Sequence, residues 1–343
     1  MGIWEKKPAT VGEALQATVF LFKHMELSSP RLEAEVLFAY GLEKSRAGLL
    51  ASLRDPLSVE MVEKLEGLVR ERSKGCPLQY ITGCQEFWGM ELQVNPAVLI
   101  PRSDTELLVE AAVTSLKEKM AGFPKKQDQG SDMGGLGKDN ADKAPVDPDS
   151  PLVRGSVVGK EIWLADVGTG SGAIALAMAK ELRHANVVAT DLSPEALATA
   201  RGNAERNGLV HRITFWEGDL LEPVIAAGLP LQAVLSNPPY IPTEDIGGLQ
   251  REVAQFEPRL ALDGGDDGLQ VYRRLIPQAV KVLVPGGLIA LEIGFDQGPS
   301  VAELLVRHGF DEIRVLPDFQ GHDRIVMGCM KKNRMDKVKL GYG

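Results

Sequence analysis

The sequence predicts an α/β protein: a largely parallel sheet covered by helices on both faces, with a small helical module ahead of it. Three observations predict this. From Glu161 onward, short apolar runs alternate with helix-like segments, the pattern of strands joined by crossover helices. A glycine-rich turn, Asp166-Val167-Gly168-Thr169-Gly170-Ser171-Gly172, separates the first of those runs (Ile162 to Ala165) from a helix-like stretch at Ala173 to Lys180. Residues 10 to 75 instead carry apolar residues at helical spacing throughout.

The helical module opens at Thr10, whose spacing to Glu13 makes a capping box, and Val11, Leu15, Val19 and Phe22 form the apolar stripe behind it. Ser29-Pro30 predicts a second start, with serine as cap and proline in the first turn, for a helix running to Tyr40 before Gly41. Ser58 opens a third helix with Val62, Leu65 and Val69 inward, closed by Gly75. Residues 76 to 102 alternate around Gly89 and read as a β-hairpin linker. Ser103 and Glu106 form a further capping box, starting the helix that enters the large domain, residues 103 to 330. Residues 121 to 156 are rich in Gly, Asp, Lys and Pro and are read as a flexible insertion, because they cannot bury enough surface to offset ordering. Beyond it, Val187 to Thr190 is the second strand and Ser193-Pro194-Glu195 starts a helix that Gly208 ends. A third apolar run precedes Asp219, Ala233 to Leu235 is the fourth strand, and Leu288 to Ile293 the fifth. Residues 331 to 343 form a basic tail.

Ligands of such sheets gather at the carboxyl ends of the strands, and four polar positions stand there: Asp166, Asp191, Asp219 and Asn237. Glycines allow close backbone approach, and the helix N-terminus behind them offers N–H groups to negative charge. Asp191 lies nineteen residues past Gly172, where a carboxylate can accept from both hydroxyls of a ribose. Gly168, Gly170 and Ala173 also satisfy a dinucleotide fingerprint, so this segment by itself leaves a nicotinamide enzyme open. Asn237-Pro238-Pro239-Tyr240 adds a carboxamide, a backbone with two N–H groups removed, and a flat ring, a set that can grip a planar NH2 group. Asn-Pro is equally an ordinary turn starter, and Asp219 an ordinary cap.

Taken together, these motifs resemble the S-adenosylmethionine-dependent amino methyltransferases. That resemblance implies a Rossmann-like class I methyltransferase fold, with a seven-stranded mixed sheet whose sixth and seventh strands are Ile313 to Leu316 and Ile325 to Met327, the last antiparallel. It implies that Asp166, Gly168, Thr169, Gly170 and Gly172 line the methionine part of the cofactor, that Asp191 takes the ribose, that Asp219, with Leu220, meets the adenine, and that Asn237 also borders the cofactor. Asn237, Pro238 and Tyr240 become the catalytic set: Asn237 Oδ1 and the Pro238 carbonyl accept the two N–H bonds of an amide, Asn237 Nδ2 donates to its oxygen, and Tyr240 packs on its plane.

Asn-Pro-Pro-Tyr serves adenine, guanine and glutamine nitrogens alike, so other segments must choose the substrate. Pro77 to Gly83, Glu86-Phe87-Trp88-Gly89, Val98 to Glu106, Phe256 to Leu262 and Gly264 to Gly268 resemble the glutamine N5-methyltransferases of the HemK/PrmC type, over about residues 10 to 330. The resemblance implies a protein substrate, the Gly-Gly-Gln glutamine of peptide chain release factors, recognised with help from residues 1 to 75. Pro239, Phe87 and Glu257 join Asn237, Pro238 and Tyr240 as substrate-binding candidates, although Phe87 equally suits packing in the hairpin. A sister family acting on a large-subunit ribosomal protein is the nearest alternative. Asp104-Thr105-Glu106 favours release factors, and Ser103 stands where proline is usual.

Composition sets limits. A net charge of −9 opposes broad phosphate neutralisation, so DNA is not the expected partner; no apolar run is long enough for a membrane span. The start, Met1 to Lys7, lacks a signal-peptide pattern, and the three cysteines form no Cys-x-x-Cys pair, so a cytoplasmic, reduced protein is the expectation. Five scattered histidines give no metal-ligand spacing, and no metal is predicted. Nothing in the sequence sets an oligomeric state; a monomer is the expectation.

Overall fold

The computed structural model describes residues 3, 4, 7–121 and 162–332. All but the first residue of the expected insertion at 121–156, and most of the basic tail at 331–343, therefore lie outside the described residues. In chain order the elements begin with α1 (Val11–His24), α2 (Pro30–Gly41), α3 (Arg46–Ala51), α4 (Val59–Ser73) and α5 (Leu78–Thr82). A two-stranded sheet follows, β1 (Cys84–Phe87) and β2 (Met90–Gln93), and then α6 (Ser103–Ala121). The alternating part runs β3 (Ile162–Val167), α7 (Ala173–Glu181), β4 (Ala185–Asp191), α8 (Pro194–Arg206), β5 (Ile213–Glu217), α9 (Glu222–Ala227) and β6 (Leu231–Ser236). After α10 (Arg251–Phe256) come α11 (Gln270–Val282), β7 (Leu283–Glu292), α12 (Gly298–Arg307), β8 (Phe310–Pro317) and β9 (Asp323–Met330).

The chain divides into two compact units, and the division is not a single cut. The first unit comprises residues 1–85, 93–100 and 245–259, the second 86–92, 101–244 and 260–343. Residues 245–259 thus group with the helices of the first unit although they interrupt the second in sequence.

In the first unit, Val11, Leu15 and Phe22 of α1 bury against Leu37 and Phe38 of α2 and Val62, Leu65 and Val69 of α4. Each such side chain contributes roughly 1.5–3 kcal/mol. Two of the predicted caps form: Thr10 Oγ1 accepts from Glu13 N at 3.2 Å, and Ser58 Oγ accepts from Met61 N at 3.2 Å. Ser29 occupies the N-cap of α2, but its side chain makes no cap bond. Arg72, buried on α4, pairs with Glu33 of α2 at 2.5 Å and with Glu252 of α10 at 2.9 Å.

The second unit holds a seven-stranded sheet in the order β5-β4-β3-β6-β7-β9-β8. Neighbours from β5 to β7 are parallel, and β9 runs antiparallel to both its neighbours. Successive strand residues enter two different cores. Leu164, Ala233, Leu235, Leu288 and Ala290 pack on the face that carries α6, α7 and α8, while Ala165, Val167, Val234, Ile289 and Leu291 pack on the face that carries α11 and α12. Burial on both faces is why these strands read as apolar runs rather than as alternating polar and apolar residues.

Candidate active site

Register brings the polar strand ends together. Asp166 of β3 sits opposite Ala189 of β4 and Leu235 of β6, and Val167 opposite Thr190 and Ser236. The chain therefore leaves β3 at Gly168, passes Asp191 at the end of β4, and leaves β6 at Asn237 along one edge of the sheet. Asp191 pairs in register with Glu217 of β5, which places Asp219 just past that strand on the same edge.

The glycine turn is fixed by its own backbone and by two carboxylates. Gly168 N and Thr169 N donate to Thr190 O at 2.9 and 3.0 Å. Asp191 Oδ2 accepts from Gly170 N at 2.9 Å, and its Oδ1 from Ser193 N at 3.0 Å. Asp166 Oδ2 accepts from the Thr169 hydroxyl at 2.6 Å and from Ala175 N at 3.0 Å. Its Oδ1 is buried without a partner among the described residues. Burial pushes this carboxyl up to about 7, against the lowering effect of those two hydrogen bonds.

The three glycines do different work. Gly172, at φ 84°, lets α7 approach α8, since a Cβ there would meet Leu176 Cδ1 at 2.8 Å and Ala200 Cβ at 3.1 Å. At Gly168 and Gly170 a Cβ would meet nothing within 4 Å. Those two positions face open space that a ligand can occupy at close approach to the backbone.

Asp219 lies in the loop after β5. Its Oδ2 is held by Arg274 of α11, and its Oδ1 has no partner among the described residues. Leu220, next to it, takes φ 54°, a conformation that costs a non-glycine residue on the order of 1–3 kcal/mol and clusters at ligand-binding loops. Two orphaned carboxylate oxygens, an open glycine backbone and a ribose-competent Asp191 form a set that fits S-adenosylmethionine, which carries an ammonium, two ribose hydroxyls and an adenine amino group.

Asn237 is braced from two distant segments. Its Nδ2 donates to Thr105 Oγ1 of α6 at 3.1 Å, and Thr105 Oγ1 donates to Glu292 Oε2, at the end of β7, at 2.7 Å. Burial pushes the Glu292 carboxyl up to about 7, and the bond from Thr105 partly offsets this. Pro238 is buried, and Tyr240 is half-buried with its phenol pushed up to about 12, chiefly by desolvation. Gln297 Nε2 donates to Tyr240 O at 2.9 Å. The loop at 264–268 runs against the backbone of Tyr240: a Cβ on Gly264 would come within 2.8 Å of it, and Ile241 bonds in both directions with Leu262 and Gly264.

None of the site's hydrogen bonds described above involves the two remaining candidates. Phe87 is 1 % exposed and packs with Met90, Leu92 and Leu108, so its ring serves the packing alternative. Glu257, at the C-cap of α10, belongs to the first unit. Glu106 turns Oε1 to Trp88 N at 2.6 Å, tying the hairpin to α6. Sequence marks Thr105 only as part of the Asp104-Thr105-Glu106 triplet, with no role at the site, and does not single out Glu292 or Arg274. Glu292 carried a usable signal, an acid closing an apolar strand, the same one that marks Asp191.

Comparison with known proteins is decisive. Residues 13–83 match the PrmC N-terminal domain family, and residues 164–256 match a methyltransferase domain family. A release factor glutamine methyltransferase of Moorella thermoacetica is 42 % identical over 324 residues, which span 94 % of this chain and 99 % of that protein. The chain belongs to the release factor glutamine methyltransferase family. Family members from Geobacter sulfurreducens (38 % identical, 93 % of this chain and 96 % of that protein) and Chlorobaculum tepidum (35 %, 95 % and 99 %) agree. Among solved structures, the human methyltransferase 10 domain containing protein is 15 % identical with a TM-score of 0.45, spanning 71 % of this chain and 89 % of its own. As a member of this family the protein is a methyltransferase. Among the described residues, no group of His, Cys, Asp and Glu can hold a metal, and no helix is long and apolar enough to cross a membrane.

Proposed function

We propose that this methyltransferase moves a methyl group from S-adenosylmethionine to the N5 amide nitrogen of the glutamine in the Gly-Gly-Gln motif of peptide chain release factors. The observation that carries the reading is the Asn237 carboxamide, anchored through Nδ2 by Thr105, at the same sheet edge as the glycine turn and Asp191. Its relatives' names supply the release factor and its glutamine.

An amide nitrogen shares its lone pair with the carbonyl and is a weak, planar nucleophile, so alignment is the protein's main task. Asn237 Oδ1 and the Pro238 carbonyl accept the two N–H bonds of the glutamine amide, which turns its plane and draws electron density onto nitrogen. Tyr240 stays neutral at working pH, given its raised phenol, and serves as a flat wall, not a base. Transfer first gives an N-methylated amide cation that still carries both N–H hydrogens; it is strongly acidic and loses one proton to water unaided, leaving the neutral N-methyl amide. When bound, the cofactor supplies an electrophilic methyl and leaves as a neutral thioether. Asp166 would hold its ammonium, Asp191 its ribose, and Asp219 its adenine amino group.

Radiolabelled S-adenosylmethionine with purified release factor tests the reading. Label should enter the wild-type factor and be absent when its Gly-Gly-Gln glutamine is changed to alanine. Preferential labelling of a large-subunit ribosomal protein would reassign the substrate.

A further inference from the structure

Asparagine has two faces that look alike in shape and are opposite in chemistry, and something must decide which one meets the substrate. Nδ2 is a double donor and Oδ1 an acceptor, and a half-turn of the amide exchanges them. Here the decision can be traced outward. Thr105 is 4 % exposed and Glu292 1 % exposed, so neither finds water as an alternative partner. The threonine hydroxyl has one hydrogen, and it goes to Glu292 Oε2 at 2.7 Å. When Glu292 is ionised it only accepts, and that hydrogen is then committed. Only a lone pair of Oγ1 remains toward Asn237, which must then present Nδ2, as it does at 3.1 Å. Glu292 is itself held, because Tyr272 OH of α11 donates to its backbone carbonyl at 2.7 Å.

We propose that Thr105, oriented by Glu292, is a positioning residue that fixes which end of the Asn237 amide faces the substrate. The inference rests on Asn237 acting on the glutamine amide as described above. It gives the middle residue of Asp104-Thr105-Glu106 a task of its own: a one-hydrogen relay between β7 and the loop after β6. Protonated Glu292 would reverse the relay, since its own hydrogen could go to Oγ1 and the threonine hydrogen would then seek Oδ1. The charged and titratable groups acting on Glu292 are Arg324 of β9, Asp104 in the first turn of α6, Arg102 just before that helix, and Tyr240; Tyr272 acts on it from α11.

The test uses the full-length enzyme with release factor and S-adenosylmethionine, comparing Thr105→Val and Thr105→Ser in the wild-type and Asn237→Ala backgrounds. Thr105→Val should lower kcat roughly 10- to 100-fold, the scale of a small misplacement at the reacting group, with KM and cofactor affinity within about twofold. Thr105→Ser should restore most of the loss. In the Asn237→Ala background Thr105→Val should change nothing further. In parallel, kcat of the wild type should rise with pH near neutrality, and Glu292→Gln should flatten that rise even if Thr105→Val fails to fold. A full effect of Thr105→Val in the Asn237→Ala background, a serine variant as slow as the valine, or a pH profile unchanged by Glu292→Gln would overturn the inference while leaving the substrate intact. A wild type that leaves the release factor unlabelled would overturn the functional reading and this inference with it.

Discussion

The two ends of the candidate site are built by different means. The glycine turn is largely local: Asp166 holds Thr169 and Ala175 within ten residues of sequence, and the longer ties, to Thr190, Asp191, Asn203 and Ser236, engage the turn's backbone N–H or C=O groups. Asn237 is held by side chains, Thr105 at a separation of 132 residues and Glu292 beyond it at 187 from Thr105. A cofactor shared by many enzymes can be met by a fixed backbone cradle. A particular substrate amide needs a donor and an acceptor set by the tertiary fold, which a distant substitution can disturb.

The largest expected effect separates the two ends. Asn237→Ala should cost roughly 10²-fold or more in methyl transfer, as when one preorganised polar group is removed, while calorimetry should find cofactor affinity nearly unchanged. A parallel loss of cofactor affinity would mean that the ends are not separable. Next is the converse: Gly170→Ala places a methyl in open space at φ 54°, so the protein should fold with a penalty near 1 kcal/mol but bind cofactor at least about tenfold more weakly. Unchanged binding would move the ligand away from that turn.

A third test reads the buried acids through stability. Burial lifts Glu292 and Asp166 to about 7, above the value near 4 that each has in the unfolded chain. Between those values the native state keeps protons that the unfolded chain has released, so each acid's stabilising share is fully present below about 4 and is lost as pH rises through about 7. Denaturant melts should show Glu292→Gln gaining on the wild type over that window, by on the order of 3 kcal/mol at most. A constant difference from pH 4.5 to 8 would count against the raised acid. The smallest effect is at Ser193, whose Oγ accepts from Ala196 N at 3.1 Å as the cap of α8; Ser193→Ala should lower stability by about 1 kcal/mol and leave kcat alone.

The same contrast governs how much could be read in advance. Strands β3, β4, β6 and β7, the glycine turn and the four polar strand ends were legible because each is a short-range pattern, and a parallel sheet collects such ends on one edge. The antiparallel last strand follows from resemblance to the family, not from its own residues. Thr105 was legible as part of a family triplet but its role was not, because a threonine in the first turn of a helix looks like helix-start chemistry, and nothing nearby reveals that its hydroxyl spans two other segments. Gly41 shows a similar limit. It reads as a stop for α2, yet it stands within the helix, where a Cβ would come within 2.8 Å of both Leu65 and Leu68 of α4. Ser29 has the right identity and position for a cap, but its backbone, at ψ 62°, departs from the usual cap geometry.

Arg72 carries a consequence for the order in which this chain can mature. A ribosome delivers α2 and α4 early, so Arg72 meets Glu33 at once, but Glu252 is translated only after β3 to β6. The helical unit is therefore unfinished at birth and must wait, with a buried guanidinium short of one acid, until residues 245–259 emerge. Glu252 is 36 % exposed and Arg72 keeps Glu33 meanwhile, so the missing acid should cost the nascent unit at most about 1 kcal/mol and leave it somewhat more open to protease until then. A truncation that discards residues 1–74 would strand the returning segment in the same way.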